Sequence, residues 1–120
     1  MEGGEVMETI LTTVKKLLGI PEVDDSFDTD ILVHINTTNM ILSQLGVKEC
    51  EEHLLIDNSD TWDELFNGND ELECLKSYFY FSVKLAFDPP SGTALLESLN
   101  RMKSEIEWRI KNCVVRKEVT

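Results

Sequence analysis

The sequence predicts an all-α fold: a four-helix bundle-like domain with one longer acidic insert between its second and third helices. Three observations carry this reading. Apolar residues recur at helical spacing in four separate stretches. Each stretch is bounded by stop chemistry: Gly19 and Pro21, Gly46, the NGND run at 67–70, and the Pro89-Pro90 pair. The chain has 120 residues, 42% of them apolar, which suits one domain with a packed core and argues against wholesale disorder.

In the first helix Val6, Ile10, Val14 and Leu17 step by four, four and three. Gly19 then suits the position just past the C-cap, and Pro21 prevents continuation. The second helix follows DDSFDTD, where Asp25 or Ser26 is the expected N-cap and Asp28 and Asp30 complement the helix dipole. Its apolar stripe holds Phe27, Ile31, Ile35, Ile41, Leu42 and Leu45, with His34 and Thr38 on the same side. Val33 and Met40 fall together on the opposite side.

Residues 47–69 form the insert. HLLI (53–56) reads as a possible short strand, and TWDELF (61–66) as a helical turn or two. Thr61 and Glu64 have capping-box spacing. The third helix is expected from about Asp70 to Phe87, with Leu72, Leu75, Phe79, Val83 and Ala86 on its core stripe. Cys74, Phe81 and Leu85 cluster on the other side, so this helix must be central or covered by a neighbouring subunit. The fourth helix starts after Pro90, with Ser91 or Thr93 as cap. Leu95, Leu99, Met102, Ile106, Ile110 and Cys113 make its stripe, and Trp108 points away from it beside Glu97, Arg101, Ser104 and Glu105. The predicted domain is residues 1–113, with 114–120 as a tail.

Charge narrows the function. The net charge is −12, and it is unevenly spread. Residues 1–90 hold 19 acids and 5 bases, whereas residues 91–120 hold 4 acids and 6 bases. A body this acidic repels a phosphate backbone, which disfavours ordinary DNA binding. No apolar run is long enough for a membrane helix, and the acidic beginning of the chain lacks signal-peptide character. Folding is therefore expected in the cytoplasm, with the three separated cysteines reduced.

Catalytic chemistry is poorly represented. His53 follows Cys50 by three residues, but no second ligand pair completes a zinc site. DDSFDTD and DNSDT lack the glycine and terminal glutamate of a calcium loop. Phosphate-loop, dinucleotide, nucleophile-elbow and HExxH patterns are absent from the sequence. No enzyme, metal or cofactor is expected. The interface candidates are Trp62, Phe66, Cys74, Phe81, Leu85 and Trp108, with Asp88, Pro89 and Pro90 setting the angle of the third and fourth helices.

The segments ILVHINTTNMILSQLGV and YFYFSVKLAFDPPSGTALLESLNRMKSEIEWRI resemble the head–tail connector (adaptor) proteins of tailed phages and prophages of low-GC Gram-positive bacteria. The marks are the aromatic helix Tyr78–Phe87, the turn Asp88-Pro89-Pro90, and the stretch Glu105-Ile106-Glu107-Trp108-Arg109-Ile110. The resemblance covers about residues 6–112. It implies a non-catalytic virion protein at the phage neck, assembled in the host cytoplasm. It implies a homo-oligomeric ring, a dodecamer matching the portal, although the isolated chain can be a monomer. The implied partners are the portal protein and the next head-completion or tail protein. DNA would pass through the channel without specific binding, and no membrane is involved. The competing reading is a small phage regulatory or terminase-small-subunit-like DNA-binding protein. Against it stands the lack of Lys or Arg from Asp25 to Val47, where a recognition helix would need them.

Overall fold

A computed structural model describes residues 8–69 and 72–119, with side chains through Asn112. Six helices run α1 Ile10–Leu18, α2 Asp28–Gln44, α3 Lys48–Glu52, α4 Trp62–Phe66, α5 Leu75–Phe87 and α6 Thr93–Val119. The all-α expectation holds. The four expected helices are α1, α2, α5 and α6, and the insert adds two helices of five residues each.

Helix α1 begins in a reciprocal cap. Thr9 Oγ1 accepts from the Thr12 N–H at 3.1 Å, and Thr12 Oγ1 accepts from the Thr9 N–H at 2.9 Å. It ends at Gly19, whose φ of 81° is the left-handed conformation a glycine allows cheaply. Ile10 and Val14 are buried as expected, but Leu17 is exposed. Leu11 and Lys15 take its place in the core, and Val6 lies outside the described residues. Lys15 is only 2% exposed. It tolerates burial because its Nζ donates to the Glu22 carbonyl at 3.0 Å and pairs with Asp28 Oδ1 at 2.9 Å. One ammonium thus ties the end of α1 to the start of α2.

The N-cap expected at Asp25 or Ser26 falls instead at Phe27, with no side-chain cap bond. The carboxylate that acts here is Asp24, which accepts from the Ser26 N–H at 3.1 Å and from the Ser26 hydroxyl, closing the preceding turn. Those two bonds hold the Asp24 carboxyl below its ordinary pKa, the hydroxyl contributing more than the amide. Ile31, Ile35, Thr38, Asn39 and Leu42 form the buried side of α2. Thr38 satisfies its hydroxyl on the His34 carbonyl at 2.9 Å.

HLLI is not a strand. Residues 53–56 are irregular, and two asparagines of α2 replace the missing strand partner. Asn36 Nδ2 donates to the Ile56 carbonyl at 2.9 Å, and its Oδ1 accepts from the Ile56 N–H at 2.7 Å. Asn39 Nδ2 donates to the His53 carbonyl at 2.8 Å. The side-chain amides do for this segment what a backbone would do in a sheet. TWDELF is helical with the expected cap: Thr61 Oγ1 accepts from the Glu64 N–H at 3.2 Å, and Glu64 Oε1 from the Thr61 N–H at 2.8 Å.

Helix α5 begins at Leu75, later than the expected Asp70, which lies outside the described residues. Residues 72–74 form a turn ahead of it. Leu75, Phe79 and Val83 are buried, Leu72 packs against the core half-buried, and Ala86, expected on the core stripe, is exposed. Helix α5 is central, packing against α1, α2 and α6. Its Phe87 ring meets Phe27 edge-on at 5.5 Å and His34 at 6.3 Å, both at the α2 side. Its Tyr78 hydroxyl donates to Glu107 of α6 at 2.7 Å. Phe87 and Tyr78 are nine residues apart and so point about 180° from one another. Helices α2 and α6 therefore lie against opposite sides of α5.

The turn expected from FDPP is present. Asp88 leaves the helical region at φ −147°, ψ 67°, as a residue before proline must. Its carboxylate pairs with Lys84 at 3.0 Å. The Gly92 carbonyl accepts from the Leu96 N–H at 3.0 Å and opens α6, so Gly92 occupies the cap position expected of Ser91 or Thr93. The α6 backbone stays helical to Val119, so residues 114–119 continue the helix where a tail was expected. Its 27 residues span about 40 Å, roughly twice the length of α5.

Candidate subunit and partner interface

The six candidate apolar residues separate into two groups. Trp62 and Phe66 belong to the subunit's own core. Trp62 is 7% exposed, donates from Nε1 to Thr13 Oγ1 at 2.9 Å, and packs tilted against Phe66 at 5.6 Å and edge-on to Phe79 at 5.4 Å. Phe66 is buried beside it. An acidic insert made them look superficial, but the insert folds back across the start of α1, where the Asp60 carbonyl accepts from the Ile10 N–H at 2.9 Å.

The other four reach the surface. Cys74 is exposed. Phe81 and Leu85 are half-buried, with the Phe81 ring 5.6 Å from Tyr80. Trp108 is 65% exposed. It lies about 180° around α6 from the buried Leu99, so α5 cannot reach it. Leu95 and Met102, expected on the buried stripe of α6, are also exposed. Only Leu99 and Ile110 are buried among the described α6 side chains, with Ile106 half-buried; the Cys113 side chain lies outside the described residues. Asp88 and Pro89 are exposed and Pro90 half-buried, at the corner joining α5 to α6.

A second apolar surface was not among the candidates. Val33 and Met40 on the outer side of α2 join Leu54 and Leu55 of the insert along an open groove, also lined by Leu32 and Asn36. Leu55 is 80% exposed. The sequence signals were the pairing of Val33 with Met40 opposite the core stripe and the apolarity of HLLI. What the sequence did not show is that Asn36 lays that segment beside them.

Two buried groups are shifted by their surroundings. Burial pushes the Cys50 thiol up to about 12, with the charge of Glu49 adding to it. Burial, and then the bond to Glu107, raises the Tyr78 phenol above its ordinary value. His53 Nε2 meets Asp60 Oδ1 at 3.1 Å inside the insert. Among the described residues no group of three or more His, Cys, Asp or Glu side chains is placed to hold a metal ion. No described helix is long and apolar enough to cross a membrane.

With the helices and their uncovered faces placed, comparison with protein families decides the assignment. The family model described as phage connector protein matches residues 10–116, nearly the whole chain. The chain belongs to the phage connector protein family. No curated protein and no solved structure matches it. The matched span runs from the first residue of α1 into the last turns of α6, so it takes in the insert and the Pro89-Pro90 corner of the connector as well as its long helices.

Proposed function

We propose that this connector is a structural virion component that forms a homo-oligomeric ring under the portal, extends the DNA channel and joins head to tail. The observation that carries the reading is Trp108: a tryptophan 65% exposed on a connector-family chain, on a helix where Leu95 and Met102 are exposed as well. Tryptophan is enriched at the energetic centres of interfaces and is seldom left in water without use. Phe81 and Leu85 of α5, with Cys74 just ahead of it, supply further apolar surface for the same purpose. The net charge of −12 supports passage of DNA without sticking.

The resemblance to adaptor proteins supports a dodecamer templated by the portal, with a head-completion or tail protein docked on the far side. The DNA-binding alternative is disfavoured because bases of α6 are met by acids of the same helix: Lys103 lies 3.9 Å from Glu107, and Arg109 3.4 Å from Glu105. The test is to mix the purified chain with its phage portal and image the complex by negative stain. A ring seated on the portal is expected. A portal that stays bare, together with tight duplex binding by the chain at low salt, would overturn the proposal.

A further inference from the structure

We infer that Glu107 sets the roll of α6: its bond to Tyr78 holds the helix turned away from its own apolar stripe, and without that bond α6 rolls to bury Leu95 and Met102 against α5. The inference concerns the single subunit, so its failure leaves the ring reading untouched.

The apolar stripe and the covered side of α6 do not coincide. Leu95, Leu99, Met102, Ile106 and Ile110 share one direction when advanced by 100° per residue. The side covered in the subunit holds Leu96, Leu99, Lys103, Ile106, Glu107 and Ile110, and its centre lies about 50° further round. Ser98 and Asn112 are half-covered elsewhere by bonds within α6: Ser98 Oγ accepts from Arg101 at 3.4 Å, and Asn112 Nδ2 donates to the Trp108 carbonyl at 2.8 Å. Two charged residues thus occupy covered positions while Leu95 is 54% and Met102 39% exposed. Overhang does not explain this, because both lie between the proline corner and Glu107, on the stretch of α6 that runs back along α5.

The contacts at Tyr78 account for the turn. Its hydroxyl donates to Glu107 Oε2 at 2.7 Å, a charge-assisted bond at a fully buried side chain. Lys103 Nζ lies 5.8 Å over the Tyr78 ring and 3.9 Å from Glu107, so the carboxylate comes with a countercharge. Turning Glu107 away would leave the buried phenol unpaired. The exposed apolar area of Leu95 and Met102 pulls the other way. The polar clasp prevails while both partners are present, and the apolar term prevails once either is removed. The corner can follow the roll: Pro89 and Pro90 have no N–H to tie it, and the space around Gly92 is open. Trp108 turns with the helix through the same angle, so Glu107 decides the direction in which α6 presents it.

The experiment uses the full-length chain with Glu107→Ala, Glu107→Gln or Tyr78→Phe, its methionine methyl groups isotopically labelled for NMR and a soluble nitroxide added. The sequence has four methionines; Met40, 47% exposed on α2, is the reference, and Met102→Leu assigns the Met102 signal. In the wild type the nitroxide should relax the Met102 methyl at a rate comparable to that of Met40. Glu107→Gln keeps an acceptor oxygen for the Tyr78 hydroxyl and should behave like the wild type. Glu107→Ala and Tyr78→Phe each remove one partner, and in both the Met102 rate should fall severalfold while that of Met40 holds. Unfolding cannot imitate this result, because it exposes Met102 and does not cover it. A Met102 rate unchanged or raised in either of those two variants overturns the inference. A fall of equal size in Glu107→Gln also overturns it, because the acceptor for Tyr78 is still in place.

Discussion

The insert and α6 invert the usual relation between helix length and core. The insert's two helices have five residues each, yet residues 47–66 supply Val47, Cys50, Ile56, Trp62, Leu65 and Phe66 to the core. Helix α6 has 27 residues and buries only Leu99 and Ile110 among its described side chains. A long helix spreads the cost of its first turn over many hydrogen bonds, whereas a five-residue helix forms only when packing and caps hold it. The insert is therefore part of what makes the subunit fold, and α6, by its described side chains, is largely surface. On the proposed ring reading, that surface is where a neighbouring protein would pack.

The two tryptophans test the contrast most strongly. Trp62→Ala removes a buried indole, its bond to Thr13 and two ring contacts, and should cost about 3–5 kcal/mol of stability. Trp108→Ala should change stability by no more than about 0.5 kcal/mol. Urea unfolding of both measures the difference. Equal losses would mean that α6 is as much a part of the folding unit as the insert.

Alkaline pH provides the next probe, because one raised acid lies in each region. Cys50 in the insert has its thiol raised from 9.0 to about 12, chiefly by burial. The Tyr78 phenol, at the seam between α5 and α6, is also raised, by burial first and then by Glu107. Both groups favour the folded state while protonated. Their contribution is complete below the unfolded-state pKa and is lost as pH rises toward the folded one. The melting temperature should therefore hold from pH 7 to about 9 and then fall. Cys50→Ala should flatten the first part of that fall, beginning near the ordinary thiol value of 9.0. Tyr78→Phe should flatten the part beginning near the ordinary phenol value of 10.0. Identical profiles for wild type and Cys50→Ala would show that the thiol does not feel the core.

What was legible in the sequence follows the same division. The long elements could be read because periodicity and stop residues are local: α1 ends at Gly19, α5 at Asp88, and α6 begins just past the prolines. The Thr61–Glu64 cap was legible because its two partners lie three residues apart. The buried Lys15 was not, because its partners, Glu22 and Asp28, come from a loop and a different helix. Nor was the groove, because Asn36 and Ile56 are 20 residues apart and an asparagine in mid-helix normally reads as solvent-facing. Trp62 and Trp108 differ in the same way. Trp108 was placed correctly by its own helix, whereas Trp62 needed the fold of the insert over α1.

Asn36 yields the next smaller effect. Asn36→Ala removes the amide that satisfies both Ile56 backbone groups and should cost about 1–3 kcal/mol. Leu55→Ala, on the same segment but exposed, should be near neutral in the isolated chain. Hydrogen exchange would localise the loss: the Ile56 amide should lose protection in Asn36→Ala and keep it in Leu55→Ala. Protection unchanged in both would mean that the segment is held by the buried Ile56 side chain and not by the asparagine.

The smallest contrast is between helix starts. Thr61→Ala removes the acceptor for the Glu64 N–H while the backbone N–H of residue 61 keeps its bond to Glu64 Oε1, at a cost of about 1 kcal/mol. That loss falls on a helix of five residues, so α4 should unwind locally and expose the Trp62 ring it positions. Ser91→Ala, just ahead of α6, should change stability by less than about 0.5 kcal/mol, because Gly92 opens the helix by its carbonyl and 27 residues share any fraying. Acrylamide quenching of tryptophan fluorescence separates the two: Thr61→Ala should gain accessible signal from Trp62, and Ser91→Ala should not. A gain in both would place the start of α6 within the same cooperative unit as the insert, and the division between a folding core and a presenting helix would then be one of surface exposure alone.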